Sequence, residues 1–221
     1  MFAALRGRRV IDLTRVLAGP FCTQLLSDWG ADVVKIERPS DKDDRREKLS
    51  DYFHSVNRNK QSLAVNLQAP EGRRIVEELV ATSDVFIENY TPGKLGEYGL
   101  TYKDLKSINP KLVYISMAGC GQTGPLVGRT AYDAISGSYG GLFKSTGRPA
   151  PLVIPATDIF AGVLTSNAIV AGILNVEKSG KGVWIQSSLE LPLEDLLNDT
   201  RFTDKTVRFA NRDVLISILS G

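Results

Sequence analysis

The segment from Arg9 to Glu37 leaves few choices of fold. Arg9-Val-Ile-Asp-Leu-Thr14 is a short β-branched run, Leu17-Ala-Gly-Pro20 is a turn that places proline for a helix N1 position, and Phe21 to Trp29 continues as a helix closed by Gly30. Asp32-Val-Val-Lys-Ile-Glu37 follows at once as a second strand. Strand, helix and strand joined this tightly form a βαβ unit, which argues for a parallel sheet covered by helices.

The remainder repeats the alternation. Ser62-Leu-Ala-Val-Asn66, Asp84-Val-Phe-Ile-Glu88, Lys111-Leu-Val-Tyr-Ile-Ser116 and Val183-Trp-Ile-Gln-Ser-Ser-Leu189 read as strands. Pro70 opens a helix through Ala81, and Thr101 caps a short helix with Asp104 at its third position. Tyr132 to Ser145 is a small-residue stretch suited to a close-packed helix, and the apolar run Val163 to Val176 is the core of a long one. The charged segment Ser40 to Asp51 reads as a solvent-facing loop. The fold class is therefore α/β, a parallel sheet with flanking helices. At 221 residues with 43% hydrophobic content the chain can bury one large core or two small ones.

A net charge of +2 spread over 27 basic and 25 acidic residues leaves no nucleic-acid footprint. No window reads as long and apolar enough to cross a bilayer. Two cysteines, Cys22 and Cys120, fit a reduced intracellular compartment, mitochondrial or cytoplasmic, and neither has a second ligand at metal-binding spacing. With the first strand starting by Arg9 there is no room for a removable presequence.

In open parallel sheets, ligands collect at the carboxyl ends of the strands. The loops that end there are Arg15 to Gly19, Arg38-Pro39, Asn89-Tyr-Thr-Pro-Gly-Lys94 and the glycine-rich Ala118-Gly-Cys-Gly-Gln-Thr-Gly-Pro125. Glu37 closes the second strand where a ribose-binding acid of a dinucleotide fold would sit. Only Gly19 occurs in the first turn, however, so the G-x-G-x-x-G phosphate cradle is absent. Arg38 suits a phosphate on an adenosine ribose, or is a solvated surface arginine. The lone histidine, His54, lies in a polar stretch, which disfavours a serine or cysteine hydrolase triad. Tyr90, Tyr98, Tyr132 and Tyr139 read as core or pocket-wall aromatics. Asp158, in Ile154-Pro-Ala-Thr-Asp158, stands between a proline-bounded loop and the apolar helix. By itself it reads as a helix N-cap, and alternatively as a carboxylate nucleophile in apolar surroundings.

Taken together, the motifs resemble a family. Asp12-Leu-Thr-Arg-Val-Leu-Ala-Gly-Pro20 with Gly30-Ala-Asp-Val-Val-Lys-Ile-Glu-Arg-Pro39 resembles the opening of the class III CoA-transferases, the formyl-CoA and carnitine CoA-transferase group. Asn57-Arg-Asn-Lys60, Glu88 to Lys94, Gly119 to Pro125 with Ala131-Tyr-Asp133, and Ala156-Thr-Asp158 follow in the family's order. Within the group the sequence most resembles the succinyl-CoA:glutarate branch.

The resemblance implies a Rossmann-like CoA-binding large domain over residues 1–189 and Asp158 as the nucleophile. The reaction implied moves CoA from an acyl-CoA such as succinyl-CoA to a carboxylic, here dicarboxylic, acid. It passes through an aspartyl mixed anhydride and an aspartyl-CoA thioester, with the helix dipole keeping Asp158 ionised. The acyl-CoA is substrate, and no tightly bound cofactor is implied. Arg38 matches the adenosine-phosphate end of CoA. Leu17, Ala18, Val65, Asn89, Tyr90, Thr91 and Ala118 to Gly121, including Gly119 and Cys120, fall on CoA-lining positions. Arg15 and Leu17 stand where the formyl-CoA enzyme has other side chains, and Glu97 replaces a basic contact. The family pairs as interlocked homodimers. After Leu189 the resemblance skips some tens of residues, so residues 190–221 are expected as an incomplete second small domain, without the family's glycine-rich active-site loop. A CoA-binding fragment or regulatory isoform without catalysis is the alternative that this leaves open.

Overall fold

The computed structural model describes residues 3–39, 50–123, 126–129, 131–139, 142 and 154–189. The expected small-domain remnant at 190–221, Gly124 and Pro125 of the glycine-rich loop, and the end of the Tyr132–Ser145 stretch lie outside the described residues.

The elements are β1 Arg9–Leu13, α1 Ala18–Asp28, β2 Asp32–Glu37, α2 Ser50–Asn57, β3 Gln61–Ala64, α3 Pro70–Val80, β4 Val85–Glu88, α4 Tyr102–Ile108, β5 Val113–Ala118, α5 Asp133–Tyr139, α6 Ala156–Ser179 and β6 Val183–Ser188. A 3₁₀ helix covers Lys94–Tyr98. All six strands run parallel, in the order β3-β2-β1-β4-β5-β6. β1 lies between β2 and β4, with Ile11 opposite both Val34 and Phe86. This is the doubly wound arrangement that the βαβ opening predicts.

Parallel strands covered on both faces need apolar residues on both sides of the pleat, and β4 and β5 are buried throughout. Successive residues divide between two cores. Val10, Val33, Val85 and Val113 face Cys22 and Leu26 of α1 and Ile169 and Ile173 of α6. Ile11, Val34, Phe86 and Tyr114 face Val76 and Val80 of α3 and Leu105 of α4.

Three helices depart from expectation. α1 begins at Ala18 rather than with Pro20 at N1. α2 occupies a stretch expected to be polar loop and carries the exposed His54. α6 begins before Asp158, so its apolar window is longer than the run from Val163 to Val176. At 24 residues it is long and apolar enough to cross a membrane, which corrects the expectation that no window is. Here it packs on the sheet: a Cβ at Gly172 would meet Val113 Cγ1 at 2.9 Å, and one at Gly162 would meet the Ala18 carbonyl at 2.8 Å. The predicted Thr101 cap forms a full capping box, with Asp104 N–H on Thr101 Oγ1 at 3.4 Å and Thr101 N–H on Asp104 Oδ2 at 3.0 Å.

Candidate active site

The strand order reverses between β1 and β4, so the connections leaving these two strands diverge and open a crevice at their carboxyl ends. Its floor is fixed by Asp12, which is wholly buried. Oδ1 accepts the Thr14 N–H at 2.8 Å and hydroxyl at 2.6 Å, and Oδ2 accepts Thr23 Oγ1 at 2.6 Å and Lys60 Nζ at 3.1 Å. Burial pushes this carboxyl up, but the ammonium groups of Lys35 and Lys60 and the two hydroxyls outweigh it and hold Asp12 well below the usual carboxylate range. Lys60 also donates to the Pro20 carbonyl at 2.8 Å and Asn57 Oδ1 at 2.9 Å, while Arg58 and Asn59 grip Asp28 at the far end of α1. The Asn57–Lys60 motif thus holds α1 at both ends.

Thr14 fills the space beside Gly19: a Cβ on Gly19 would lie 2.4 Å from that of Thr14. The glycine lets α1 close onto the end of β1, a packing role distinct from a phosphate cradle. The next two residues are unusual. Val16 holds φ +65°, a left-handed conformation that is strained for a β-branched residue. Arg15 is held by Asn89, whose Oδ1 accepts the Arg15 N–H and whose Nδ2 donates to the Arg15 carbonyl, both at 2.8 Å. The Arg15 guanidinium lies 4.5 Å above the Tyr90 ring and donates to its hydroxyl.

A cavity of about 320 Å³ occupies the crevice. It brings together Leu17, Ala18, Asn89, Tyr90, Thr91, Ala118, Gly119 and Asp158 from the expected site residues, and adds Arg15, Val16, Met117, Arg129 and Tyr132. A second cleft of about 390 Å³ is lined by Arg38, Pro39, Asn66, Leu67, Gln68, Tyr90 and Tyr98, so Tyr90 is common to both. Three expected residues line neither cavity. Val65 is buried in the core beneath, with its N–H on the Glu37 carbonyl at 2.8 Å, and Cys120 and Gly121 lie beyond Gly119. Glu97 is paired with Lys94 at 2.6 Å.

Asp158 is 6% exposed and is the third residue of α6, so it is not the N-cap. That position belongs to Pro155, which makes no side-chain cap. The cap comes from Asp133, at the start of α5. Its Oδ1 accepts the backbone N–H of Thr157 at 2.7 Å and of Asp158 at 3.2 Å. Burial, and then the charge of Asp133, push the Asp158 carboxyl up to about 6. The expected ionising effect of the helix terminus is thus outweighed, though the group stays mostly ionised at neutral pH. Tyr52 of α2 is also close: burial and the charge of Asp158 push its phenol up to about 12. Behind the Tyr90 loop, Glu88 accepts the Tyr90 N–H at 2.8 Å. Burial pushes Glu88 up to about 7 against the stabilising hydrogen bonds from Ser116 and Tyr90.

Asp133, Tyr52 and Arg129 carry no role in the sequence reading. Asp133 lies in a recognised motif, Ala131-Tyr-Asp133, but its partner is 24 residues away. Tyr52 sits on the short helix α2, in a stretch that reads as polar loop.

Residues 5–216 match the family model for CoA-transferase family III. The chain belongs to that family. Among relatives in CoA-transferase family III, the succinyl-CoA:glutarate CoA-transferase of Mus musculus is 48% identical over 196 residues, covering 84% of this chain and 45% of the relative. The succinate–glutarate CoA-transferase of Agrobacterium fabrum is 42% identical over 202 residues, covering 84% and 50%. The formyl-CoA:oxalate CoA-transferase of Escherichia coli strain CFT073 is 36% identical over 201 residues, covering 86% and 48%. The chain thus spans about half the length of the curated relatives it matches. Among solved structures, a CAIB/BAIF family protein from Brucella suis superposes with a TM-score of 0.85 at 35% identity, covering 96% of this chain and 61% of that one. Rv3272 from Mycobacterium tuberculosis gives 0.82 at 29% identity, covering 94% and 59%.

Proposed function

We propose that this chain carries the CoA-binding and nucleophilic part of a CoA-transferase that moves CoA from an acyl-CoA, such as succinyl-CoA, to a carboxylic acid. By analogy with the named relatives, the acceptor is a dicarboxylic acid such as glutarate. The observation that carries the reading is Asp158: a buried, partly desolvated carboxylate on the wall of the same cavity as Leu17, Ala18, Tyr90 and Gly119. Arg38 in the adjoining cleft supplies a cation for the adenosine phosphate of CoA, and Tyr90 joins the two cavities.

In the reaction proposed, an Asp158 oxygen attacks the thioester carbonyl and the CoA thiolate leaves, giving a mixed anhydride. The thiolate then attacks the Asp158 carbonyl carbon. That step expels the donor acid as a carboxylate and leaves an aspartyl-CoA thioester. The acceptor carboxylate displaces CoA from Asp158 in the same manner, and the thiolate attacks the acceptor's acyl carbon, freeing Asp158 and forming the new acyl-CoA. The CoA thiolate released as each anhydride forms is the nucleophile that then opens it, so thioester energy is conserved provided water is kept from the anhydride. Burial of Asp158 serves that exclusion. Within the proposal the active assembly is a homodimer, as in the family.

The test is intact-protein mass spectrometry after incubation with succinyl-CoA, with peptide mapping of any adduct. A CoA or succinyl adduct on Asp158, absent from Asp158→Ala, supports the nucleophile. CoA binding without an adduct, in a folded chain, would favour a non-catalytic CoA-binding role instead.

A further inference from the structure

The first turn of a helix presents backbone N–H groups without partners inside the helix, and a side chain just before it normally accepts them. At the start of α6 that local solution is missing, because Pro155 holds the N-cap position. Asp133 supplies it from another element. One carboxylate oxygen receives Thr157 N–H, Asp158 N–H and the Thr157 hydroxyl, and that hydroxyl also lies 3.2 Å from the Asp133 carbonyl. Thr157 is itself 1% exposed, so its amide and hydroxyl rely on half-buried Asp133 for partners. We infer that Asp133 is a positioning residue for Asp158, fixing the helical turn that aims the Asp158 carboxylate into the cavity and setting the charge it faces there.

The geometry makes the assignment specific. Thr157 and Asp158 are consecutive, so both amides held by Asp133 belong to the turn that carries the reacting group. A displacement of this turn moves the carboxylate directly, and a misplacement of about 1 Å at a reacting atom lowers rate on the order of 100-fold. The second effect is electrostatic. The elements packed against α6 are α1, α5, β5 and β6. Their titratable groups are Cys22 and Asp28 on α1, Asp133 and Tyr139 on α5, and Tyr114 on β5. Tyr52 of α2 senses Asp158, and Arg15 and Arg129 share its cavity. Among all of these, Asp133 is the group whose charge acts on Asp158 in addition to burial. Asp133 therefore does two things at once: its carboxylate oxygen accepts the hydrogen bonds that hold the Asp158 turn, and its negative charge opposes a second one beside it.

The two roles separate by substitution. Asp133→Asn keeps an oxygen acceptor for the amides and removes the charge. Asp133→Ala removes both, and Asp133→Glu keeps both but changes the reach. The first readout does not need turnover: the pH dependence of carbodiimide labelling at Asp158, followed by peptide mass spectrometry. The wild-type midpoint is expected near 6. In Asp133→Asn it is expected to fall by about one unit. The second readout rests on the nucleophile reading: with succinyl-CoA and glutarate, Asp133→Ala is expected to lose about 10- to 100-fold in kcat with KM for the acyl-CoA little changed, and Asp133→Glu to recover part of it. An unchanged labelling midpoint in Asp133→Asn, or an unchanged kcat in a folded Asp133→Ala, overturns the inference. If Asp133→Ala does not fold, Asp133→Asn decides alone. If the wild-type chain shows no transfer, the labelling shift still tests Asp133 while the nucleophile reading fails separately.

Discussion

Asn89 holds the backbone of Arg15 from both sides, taking its N–H and giving to its carbonyl at 2.8 Å each. The pair links the loops after β1 and β4, the two strands between which the crevice opens. A carboxamide is the one side chain of this length that offers an acceptor and a donor together, which is why the contact is closed. Asn89 was expected to contact CoA; with both ends of its amide so engaged, a share of that role falls to the loop it shapes.

Asn89→Ala is expected to lower stability by about 1–3 kcal/mol, since two hydrogen bonds to half-buried backbone groups are lost. Binding of CoA should weaken at the same time, because Arg15 and Val16 line the cavity. Urea denaturation and calorimetric titration with CoA check the two halves. A mutant with unchanged stability would show that the clamp does not matter.

Val16→Gly is expected to stabilise the chain by about 1 kcal/mol. Release of a left-handed β-branched residue is worth about 1–3 kcal/mol, and the added freedom of glycine in the unfolded chain takes back less than about 1 kcal/mol. The loss appears in function, as a looser cavity wall. A higher urea midpoint together with weaker CoA binding is the expected pair of results.

Asp158 and Glu88 both titrate above their ordinary values, at about 6 and about 7. A raised carboxyl holds its proton longer in the folded chain than in the unfolded one. Its contribution to stability is complete below about pH 4 and is lost as pH rises through 6 to 7. Asp158→Asn and Glu88→Gln should therefore match the wild type near pH 4 and exceed it at pH 8, each by about 1–3 kcal/mol. Urea midpoints at the two pH values test this, and equal differences at both would refute it. Under the proposed mechanism the nucleophile is the ionised form of Asp158, so any transfer activity should rise through pH 6.

Gly162→Ala probes the seam between α6 and α1. The added methyl would sit 2.8 Å from the Ala18 carbonyl and 3.0 Å from Phe21 Cδ1, so the helices must separate. A destabilisation of about 1–3 kcal/mol is expected. Because Asp158 lies one turn before Gly162, slower formation of the succinyl adduct should accompany it. Adduct formation at the wild-type rate would show that the seam does not set the reacting geometry.

The sheet was legible in the sequence because its strands are dense β-branched runs with tight connections. β2 appears at the expected Asp32–Glu37. Local chemistry was also readable, as at Thr101 and Asp104, where both partners of the cap lie within one turn. What escaped was non-local. The cap of α6 comes from Asp133, and nothing about Asp158 itself tells a third helical residue from a first. α1 starts early because Thr14 packs into the gap at Gly19, a contact between elements. Ser50–Asn57 does not read as a helix because it is only eight residues long and follows directly on the charged run from Ser40. The cavity residues were found through family motifs, while the network under them, Asp12 with Lys35 and Lys60, becomes visible only when β1, β2 and the segment before β3 are brought together.

The strand order has a consequence for how such a chain is made. On the ribosome, β1, β2 and β3 are complete once Ala64 has emerged, but β1 then ends the half-sheet with Ile11 and Leu13 unpaired on one side. Its neighbour β4 begins only at Val85. Until then a bare, apolar strand edge is available to any other extended segment. At the start of that edge the Arg8 guanidinium and the Arg9 backbone N–H both donate to Asp84, the residue directly before β4, while the Arg9 guanidinium is held by Asp32 of β2. The Asp84 carboxylate fastens the start of β4 to the start of β1, and so closes the edge that synthesis leaves open until that residue arrives.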